Sequence, residues 1–174
     1  QNIPIRKSSG KDVRKAFIPS NKNHILMSAD YSQIELRLIA ELSQESNMIR
    51  AFLNNEDIHA ITAAELFKVP LSDVTGDMRS NAKTVNFGII YGVSAFGLSE
   101  QTDLNRKEAA ELIEAYFRTY PMLKQFIDKQ ILFAKENGYV QSILGRKRYL
   151  RNINSRNLFI RNHDERNAVN MPIQ

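Results

Sequence analysis

Prolines and glycines divide this chain of 174 residues into helix-length segments, and that division constrains its fold more than any other feature. The helical pattern over residues 48–67 must end before Pro70, because proline cannot continue a helix. Pro121 suits the first position of a helix that runs to Asn137, and Gly138 suits the left-handed C-cap of that helix. These boundaries predict a mostly helical protein.

Other segments add further helices and a small amount of strand. Residues 77–91 and 105–120 are helical in pattern, and NRKE at Asn105–Glu108 is typical of a capping box. The apolar run HILMSA over residues 24–29 suits a buried strand, and residues 139–150 suit two strands around a glycine turn. We therefore expect an α+β protein that is predominantly helical and contains one small β-hairpin.

Composition excludes several kinds of site and of protein. With no cysteine and three histidines, the chain has no disulfide or thiolate site, and any bound metal must be held by oxygen. No segment approaches the roughly 18 consecutive apolar residues of a membrane span, and the first residues lack a signal-peptide pattern. We expect a cytoplasmic protein that has no membrane contact.

Basic residues are concentrated near the two ends of the sequence. Residues 1–24 contain six Lys or Arg and one Asp, and residues 139–174 contain seven Lys or Arg and two acids. Acids outnumber bases in between. This distribution favours a polyanionic partner, whose phosphates Lys and Arg would bind. Ordinary solvated surface charge explains it equally well.

Asp30 is the first candidate for a chemical role. It follows the expected strand and precedes a helical pattern through Leu36 and Leu42, so its carboxylate would be held rigidly beside a cleft. Mg²⁺ is commonly bound by one or two carboxylates together with substrate phosphates and water. The alternative is that Asp30 only caps the following helix, and the residue chemistry alone favours that alternative.

Four residues at intervals of four form a second candidate site: Arg79, Lys83, Phe87 and Tyr91. This spacing places two cations and then two aromatic rings along one helical face. Such a face can bind a triphosphate at one end and stack a base or sugar at the other. The alternative places the rings in the core and the cations in solvent, and it is slightly favoured when these residues are considered alone.

Both candidates lie within longer sequences that resemble motifs of family A, polymerase I-like DNA polymerases. DYSQIELR at Asp30–Arg37 is similar to motif A of that family, and RSNAKTVNFGIIYG at Arg79–Gly92 is similar to motif B. QNIP at the start, DIHAITAAELF at residues 57–67 and ERNAVNMPIQ at residues 165–174 resemble the family as well. The resemblance covers almost the whole chain and implies a fragment of the polymerase domain.

The resemblance implies a nucleotidyl-transfer site that uses two Mg²⁺ ions. Asp30 would ligate both ions and the carbonyl of Tyr31 would complete one site, so that a primer 3′-hydroxyl attacks the α-phosphate of a dNTP. Arg79 and Lys83 would contact the β- and γ-phosphates, with His59 assisting. Asp30, Arg79 and Lys83 would thus be the catalytic residues, and primer-template DNA and dNTPs the partners.

Further residues would contact the nucleotide and the DNA by the same resemblance. Phe87 would lie against the incoming sugar, Tyr91 would lie at the templating base, and Glu35 would exclude a ribose 2′-hydroxyl. Gln33 would also contact the nucleotide. The residues that would contact primer and template are Arg166, Asn170 and Gln174. Their spacing of four suits one helical face, although polar residues on a helix surface are common.

The resemblance also implies subdomains and shows one departure. Residues 1–45 would form part of the palm with motif A, residues 46–150 the fingers with motif B, and residues 151–174 a return towards the palm. His163-Asp164-Glu165 spells the core of motif C, but it precedes MPIQ and lies in a polar stretch, so we do not assign it to motif C. Without motif C, the thumb and the rest of the palm, we expect little or no activity from these residues alone.

Two other functions fit parts of the sequence. A non-enzymatic nucleic-acid-binding module would explain the basic ends, but it would need neither a metal ligand nor a residue that excludes the 2′-hydroxyl. A helical protein-interaction domain explains the basic ends poorly, and it leaves the spacing of the two cations and two rings unexplained. Template-directed DNA synthesis is therefore the preferred hypothesis.

Overall fold

The structure is a computed structural model that describes residues 8–102 and 104–174 and divides the chain into two units. The N-terminal unit extends to Ser32, and the second unit spans Gln33–Gln174. Within the described part of the N-terminal unit, helix α1 (Ser8–Lys15) is the one regular element. The candidate residues Asp30 and Tyr31 belong to this unit, and the remaining candidates belong to the second unit.

The prediction of a buried strand over residues 24–29 is wrong. This segment has no regular secondary structure, and its apolar side chains are exposed, with Ile25 86% exposed. A strand is stable only when its backbone N–H and C=O groups pair with a neighbouring strand. Within the described residues, the one sheet consists of two strands, at residues 139–141 and 147–149. The apolar run alone therefore does not specify a strand.

The second unit is helical apart from one hairpin. Its helices are α2 (Ile34–Ser43), α3 (Ser46–Leu53), α4 (Ile58–Phe67), α5 (Gly76–Ile90), α6 (Ala95–Ser99), α7 (Arg106–Thr119), α8 (Pro121–Asn137) and α9 (Leu158–Asn170), with a 3-10 turn at Leu71–Asp73. Strands β1 (Tyr139–Gln141) and β2 (Lys147–Tyr149) pair antiparallel, with Val140 opposite Arg148. The expected class, predominantly helical with one small hairpin, is confirmed. No helix in the described ranges has both the length and the apolar composition needed to cross a membrane.

Local sequence determines where several of these helices begin and end. The Asn105 side chain accepts hydrogen bonds from the backbone N–H groups of Lys107 and Glu108, and the Glu108 side chain accepts one from the N–H of Asn105. The expected capping box is therefore confirmed. Pro121 begins α8, and Gly138 ends it with a φ of 73°, a left-handed value that glycine adopts without strain.

Two apolar clusters hold the helices of the second unit together. The larger cluster contains residues from every helix from α2 through α8. Its fully buried side chains include Leu36, Ile39, Met48, Ile58, Val85, Ile90, Leu98 and Leu123. The smaller cluster joins the end of α8, the hairpin and α9 through Ala134, Val140, Leu150, Ile153 and Ala168. Burial of one Leu or Ile side chain stabilises the folded chain by about 1.5–3 kcal/mol. Val85, Ile89 and Ile90 of α5 belong to the larger cluster, so their burial holds α5 in place.

A buried carboxylate joins the starts of two helices. Glu45 is 1% exposed, and its side chain accepts hydrogen bonds from the N–H of Asn47 in α3 at 3.2 Å and from the N–H of Met122 in α8 at 2.8 Å. Backbone N–H groups in the first turn of a helix have no acceptor inside the helix, and they favour a negative charge. Glu45 therefore caps α3 and also holds the start of α8 next to the start of α3.

We predict that Glu45→Ala lowers the free energy of unfolding of the chain by about 2–4 kcal/mol, because two N–H groups in the first turns of helices lose their buried acceptor. The measurement is urea unfolding followed by circular dichroism. The matched control is Glu111→Ala in α7, which removes only an exposed, 3.9 Å pair with Lys107 and should change stability by less than about 0.5 kcal/mol. Equal effects of the two substitutions would contradict the role assigned to Glu45.

Candidate functional site

Helix α5 carries the predicted row of cations and aromatic rings. The hydroxyl of Thr75 accepts a hydrogen bond from the N–H of Met78 and so caps the start of the helix. Lys83 Nζ lies 5.9 Å from the centroid of the Phe87 ring, and the Phe87 and Tyr91 ring centroids are 5.8 Å apart. The structure thus places these three side chains side by side, as the spacing of four predicts.

Arg79 is held at the start of this row by an ion pair with Asp57. Arg79 Nε lies 2.5 Å from Asp57 Oδ2, and the two side chains are 42% and 34% exposed. Asp57 Oδ1 accepts hydrogen bonds from the N–H groups of His59 and Ala60 and so caps α4. Burial would raise the pKa of Asp57, but the hydrogen bonds from Arg79, Ala60 and His59 and the charge of Arg79 lower it. One carboxylate therefore fixes both a helix start and a candidate phosphate ligand.

His59 lies behind the row, in a buried polar chain between α4 and α5. The residue is 2% exposed, and its ring centroid is 5.7 Å from that of Phe87. His59 Nδ1 is 2.9 Å from Asn86 Nδ2, and Asn86 Oδ1 accepts a hydrogen bond from the Thr62 hydroxyl at 3.0 Å. Thr62 and Asn86 are buried as well, so these three hydrogen-bonded side chains lie away from solvent.

Burial also decides the charge of His59. It lowers the pKa of the imidazole to about 4; the negative charge of Asp57 opposes this effect, and the positive charges of Arg79 and Lys83 add to it. The ring is therefore neutral at pH 7. In this state His59 can donate or accept a hydrogen bond, but it adds no positive charge to the row of α5.

The far end of the row contacts two other candidate residues. The Tyr91 hydroxyl donates a hydrogen bond to the Glu35 carboxylate of α2, and the Gln174 side chain lies near enough to this hydroxyl to affect its pKa. Burial, then the hydrogen bond and charge of Glu35, raise the pKa of Tyr91, whereas Gln174 acts in the opposite direction. Three candidate residues that are distant in sequence therefore meet at the end of α5.

Two candidate residues carry buried acceptors that have no donor. Gln33 Oε1 and Asn170 Oδ1 are buried and make no hydrogen bond to any described residue. Gln33 is the N-cap of α2 with a φ of 53°, and Asn170 is the last residue of α9. A buried polar atom without a partner costs about 1–3 kcal/mol. A ligand that supplies an N–H or O–H group at either position would remove that cost.

Arg166 packs against the turn that follows α5. Gly92 has a φ of 74°, and a Cβ added there would lie 3.3 Å from Arg166 Cγ. Arg166 also lines a cavity of about 300 Å³ together with Ser94 of the turn and Val169 of α9. The absence of a side chain at Gly92 therefore allows Arg166 to lie beside the end of α5.

Asp30 and Tyr31 are exposed in the N-terminal unit. The N-cap of α2 is Gln33, so the alternative role of Asp30 as the cap of that helix has no support. Within the described ranges, no three His, Cys, Asp or Glu side chains lie close enough together to hold a metal ion. One exposed carboxylate and a backbone carbonyl fit a Mg²⁺ ion only when phosphates and water supply its other ligands.

The triplet His163-Asp164-Glu165 lies inside α9 and has a structural role. Asp164 is buried, and its Oδ2 accepts a hydrogen bond from the N–H of Asn152 at 2.8 Å. Glu165 pairs with Lys135 of α8 at 2.7 Å. These carboxylates attach the segment after β2 and the end of α8 to α9, which differs from the strand turn expected of motif C.

Three residues take part in this site although their spacing does not indicate it. Asp57 precedes an apolar helical pattern, so its sequence position indicates a cap but not the ion pair with Arg79. Asn86 lies outside the series of four-residue steps, and its contact with His59 joins positions 27 residues apart. Thr62 resembles any helical threonine that bonds to the carbonyl four residues earlier. Only the packing of α4 on α5 brings these side chains together.

We predict that Gly92→Ala lowers the free energy of unfolding by about 1–3 kcal/mol, because alanine is strained at positive φ and its methyl group meets Arg166. Thermal unfolding measures the loss. The matched control is Gly76→Ala at the start of α5, where no atom lies within 4 Å of the added methyl group and φ is not positive. That change should leave stability unchanged or raise it by up to about 1 kcal/mol. A loss of the same size at Gly76 would contradict the explanation.

We also predict that stability falls as the pH is lowered from about 6.5 to about 4. An unfolded histidine has a pKa near 6.5, whereas that of His59 in the folded chain is about 4, so only the unfolded state binds a proton between these values. His59→Gln should flatten this part of the stability curve, measured by urea unfolding at several pH values. Asn81→Gln, a non-titrating control at an exposed position of α5, should retain the wild-type slope. An unchanged slope in His59→Gln would disprove the assignment.

Known proteins resemble this chain over its full length. The model of DNA polymerase family A matches residues 1–174. DNA polymerase I of Caldicellulosiruptor bescii is 51% identical over 174 residues, which are 100% of this chain and 20% of that protein. DNA polymerase I of Geobacillus stearothermophilus is 49% identical over 174 residues, with the same shares of 100% and 20%. The chain therefore spans about a fifth of the length of these curated relatives.

A solved structure shares the fold as well. The POL domain of Pol1 from M. smegmatis, in complex with DNA primer-template and dNTP, aligns with a TM-score of 0.88 and 39% sequence identity. The alignment covers 99% of this chain and 30% of that chain. Sequence and fold agree, and the chain belongs to DNA polymerase family A.

Proposed function

We propose that this chain forms the nucleotide-binding part of a template-directed DNA polymerase, which transfers deoxynucleotides to a primer 3′-hydroxyl. The observation that carries the proposal is the continuous row on α5, with cations at one end and aromatic rings at the other. A nucleoside triphosphate has the same division, since its phosphates are anionic and its sugar and base present less polar faces. The names of its relatives, DNA polymerase I, support the same activity.

The phosphate end of the row comprises Arg79 and Lys83. Asp57 accepts a hydrogen bond from Arg79 Nε and so holds the guanidinium group in one orientation. The two outer guanidinium nitrogens make no hydrogen bond to a described residue, so they can donate to a ligand. Guanidinium groups bind phosphate through two parallel hydrogen bonds, and an exposed ammonium adds a flexible charge. Arg79 and Lys83 would bind the β- and γ-phosphates and stabilise the charge that develops on the leaving group.

The aromatic end would position the sugar and the base. Phe87 would lie against the incoming sugar, and Tyr91 would lie at the templating base. Glu35 would exclude a ribose 2′-hydroxyl, and its hydrogen bond from Tyr91 supports that role because it holds the carboxylate in one orientation. A carboxylate held in this way resists displacement by the extra oxygen of a ribonucleotide.

Polar groups beyond the row would contact primer and template. Asn170 and Gln33 each carry a buried acceptor without a donor, which supports a ligand with N–H groups such as a base edge. Arg166 is an exposed cation beside the turn after α5 and suits a backbone phosphate. Gln174 would add a hydrogen bond at the base pair nearest Tyr91.

The proposal extends to Mg²⁺ and to the wider protein. Asp30 and the carbonyl of Tyr31 would hold the ions, which would lower the barrier to attack by the primer hydroxyl. Residues 1–45 would belong to the palm, residues 46–150 to the fingers, and residues 151–174 to the return towards the palm. A protein with this activity would act in the cytoplasm, where bacterial DNA lies.

We predict that Lys83→Ala weakens binding of dATP with Mg²⁺ to this chain at least about 10-fold, because a charge-assisted contact worth more than about 1.4 kcal/mol is lost. Isothermal titration of the chain measures the affinity. The matched control is Lys107→Ala, which removes another exposed lysine, in α7, and should leave the affinity unchanged. Equal weakening by both substitutions would show that binding is only nonspecific.

Further assays on the same preparation separate the competing functions. Binding of dATP that depends on Lys83, with little or no primer extension by the chain alone, is the expected result. Binding of DNA without binding of dNTP would favour a non-enzymatic nucleic-acid-binding module. Binding of neither would favour a protein-interaction domain and overturn the proposal.

A further inference from the structure

The buried hydrogen bonds that link Thr62, Asn86 and His59 determine which nitrogen of the His59 ring carries the proton. A neutral imidazole has one N–H donor and one acceptor nitrogen, and the hydrogen bond at one nitrogen determines the role of the other. In this structure Asn86 faces His59 Nδ1 with its amide nitrogen, at 2.9 Å. An amide nitrogen only donates, so Nδ1 must accept and the proton must lie on Nε2.

The Thr62 hydroxyl holds the amide of Asn86 in this orientation. It lies 3.0 Å from Asn86 Oδ1 and 2.9 Å from the carbonyl oxygen of Ile58. The hydroxyl has one proton, and the Ile58 carbonyl already accepts the helical N–H of Thr62, so donation to Oδ1 satisfies the oxygen end of the amide and leaves its nitrogen end for His59. Because the three linked side chains are all buried, water does not compete for these bonds.

We propose that Asn86 is a positioning residue that holds His59 as the neutral tautomer with its proton on Nε2. Nε2–H is then the one polar atom of the ring that is not engaged within the described residues, and it is a donor. Its ligand would be a phosphate oxygen next to Arg79 and Lys83, a step that rests on the proposed function. The tautomer itself does not depend on that function.

A neutral donor at this point has a chemical consequence. The charged groups that face His59 are Asp57 on its own helix and Arg79 and Lys83 on α5. The two cations already supply charge for a triphosphate, so His59 adds a directional hydrogen bond without further positive charge. Its contribution should therefore stay constant between about pH 6 and 8, where an ordinary histidine would lose its charge.

The test is two-bond ¹H–¹⁵N correlation NMR of the chain with ¹⁵N-labelled histidine, at pH 7. The wild-type His59 ring should show an unprotonated Nδ1 and a protonated Nε2. Asn86→Asp replaces the donor by a carboxylate, so Nδ1 should become protonated and the ring should titrate about 1–3 pH units higher. Asn81→Asp, on an exposed position of the same helix, should leave both signals unchanged.

A second pair of variants protects the test against misfolding of Asn86→Asp. Thr62→Val removes the hydroxyl that orients the amide, so the Nδ1 signal should move towards the protonated range. Thr119→Val removes a comparable hydroxyl, which bonds only to the carbonyl of Ala115, and should have no effect. The wild-type spectrum alone overturns the proposal if Nδ1 is protonated, because the amide of Asn86 would then be reversed.

Addition of dATP with Mg²⁺ separates the tautomer from the proposed function. A downfield shift of the Nε2 proton, with Nδ1 unchanged, is the expected result. A wild-type ring with a protonated Nε2 and no binding of dATP would contradict the proposed function and leave the tautomer assignment standing. A protonated Nδ1 would overturn the assignment whether or not dATP binds.

Discussion

The packing of α5 on α4 is the contact on which the candidate site depends. His59 and Thr62 of α4 and Asn86 of α5 are buried where the two helices meet. Two polar links then fix the rotation of α5: the ion pair between Arg79 and Asp57, and the hydrogen bond between Asn86 and His59. The spacing of four places Lys83, Phe87 and Tyr91 on one face of α5, and the two links fix the direction of that face relative to α4. If α5 turned about its axis, both links would break together.

This arrangement keeps the free-energy cost of burying charged side chains low. Arg79 and Lys83 occupy the first turns of α5, where both reach solvent and Arg79 is paired with Asp57, and the aromatic rings follow where the helix enters the core. A buried cation without a partner would be far more costly than these half-exposed ones. His59 occupies a buried position beside the cations, and it can do so because it stays neutral. The positive charge of this region therefore lies at the surface, and the core beneath it is neutral.

Local signals predict much of this fold, and long-range contacts account for what they miss. Pro121, Gly138 and the Asn105–Glu108 capping box each act within a few residues, so the helix boundaries that they predict agree with the structure. The apolar run at residues 24–29 lacks such a local cause, because a strand needs a partner elsewhere in the chain. The same distinction applies to the site. The row on α5 follows from spacing along one helix, whereas the contacts of Arg79 and His59 cross to α4 over 22 and 27 residues.

The most direct test of the account is to locate the triphosphate on the chain. Backbone ¹H–¹⁵N NMR spectra of the labelled chain, recorded during titration with dATP and Mg²⁺, would show which amides respond. The account predicts that the responding amides lie along α5 from Arg79 to Tyr91 and at the start of α4, with saturation at a single affinity. It would be contradicted if they instead surrounded the cavity of about 450 Å³ lined by Leu66, Asn81 and Gln101, or if no amide responded.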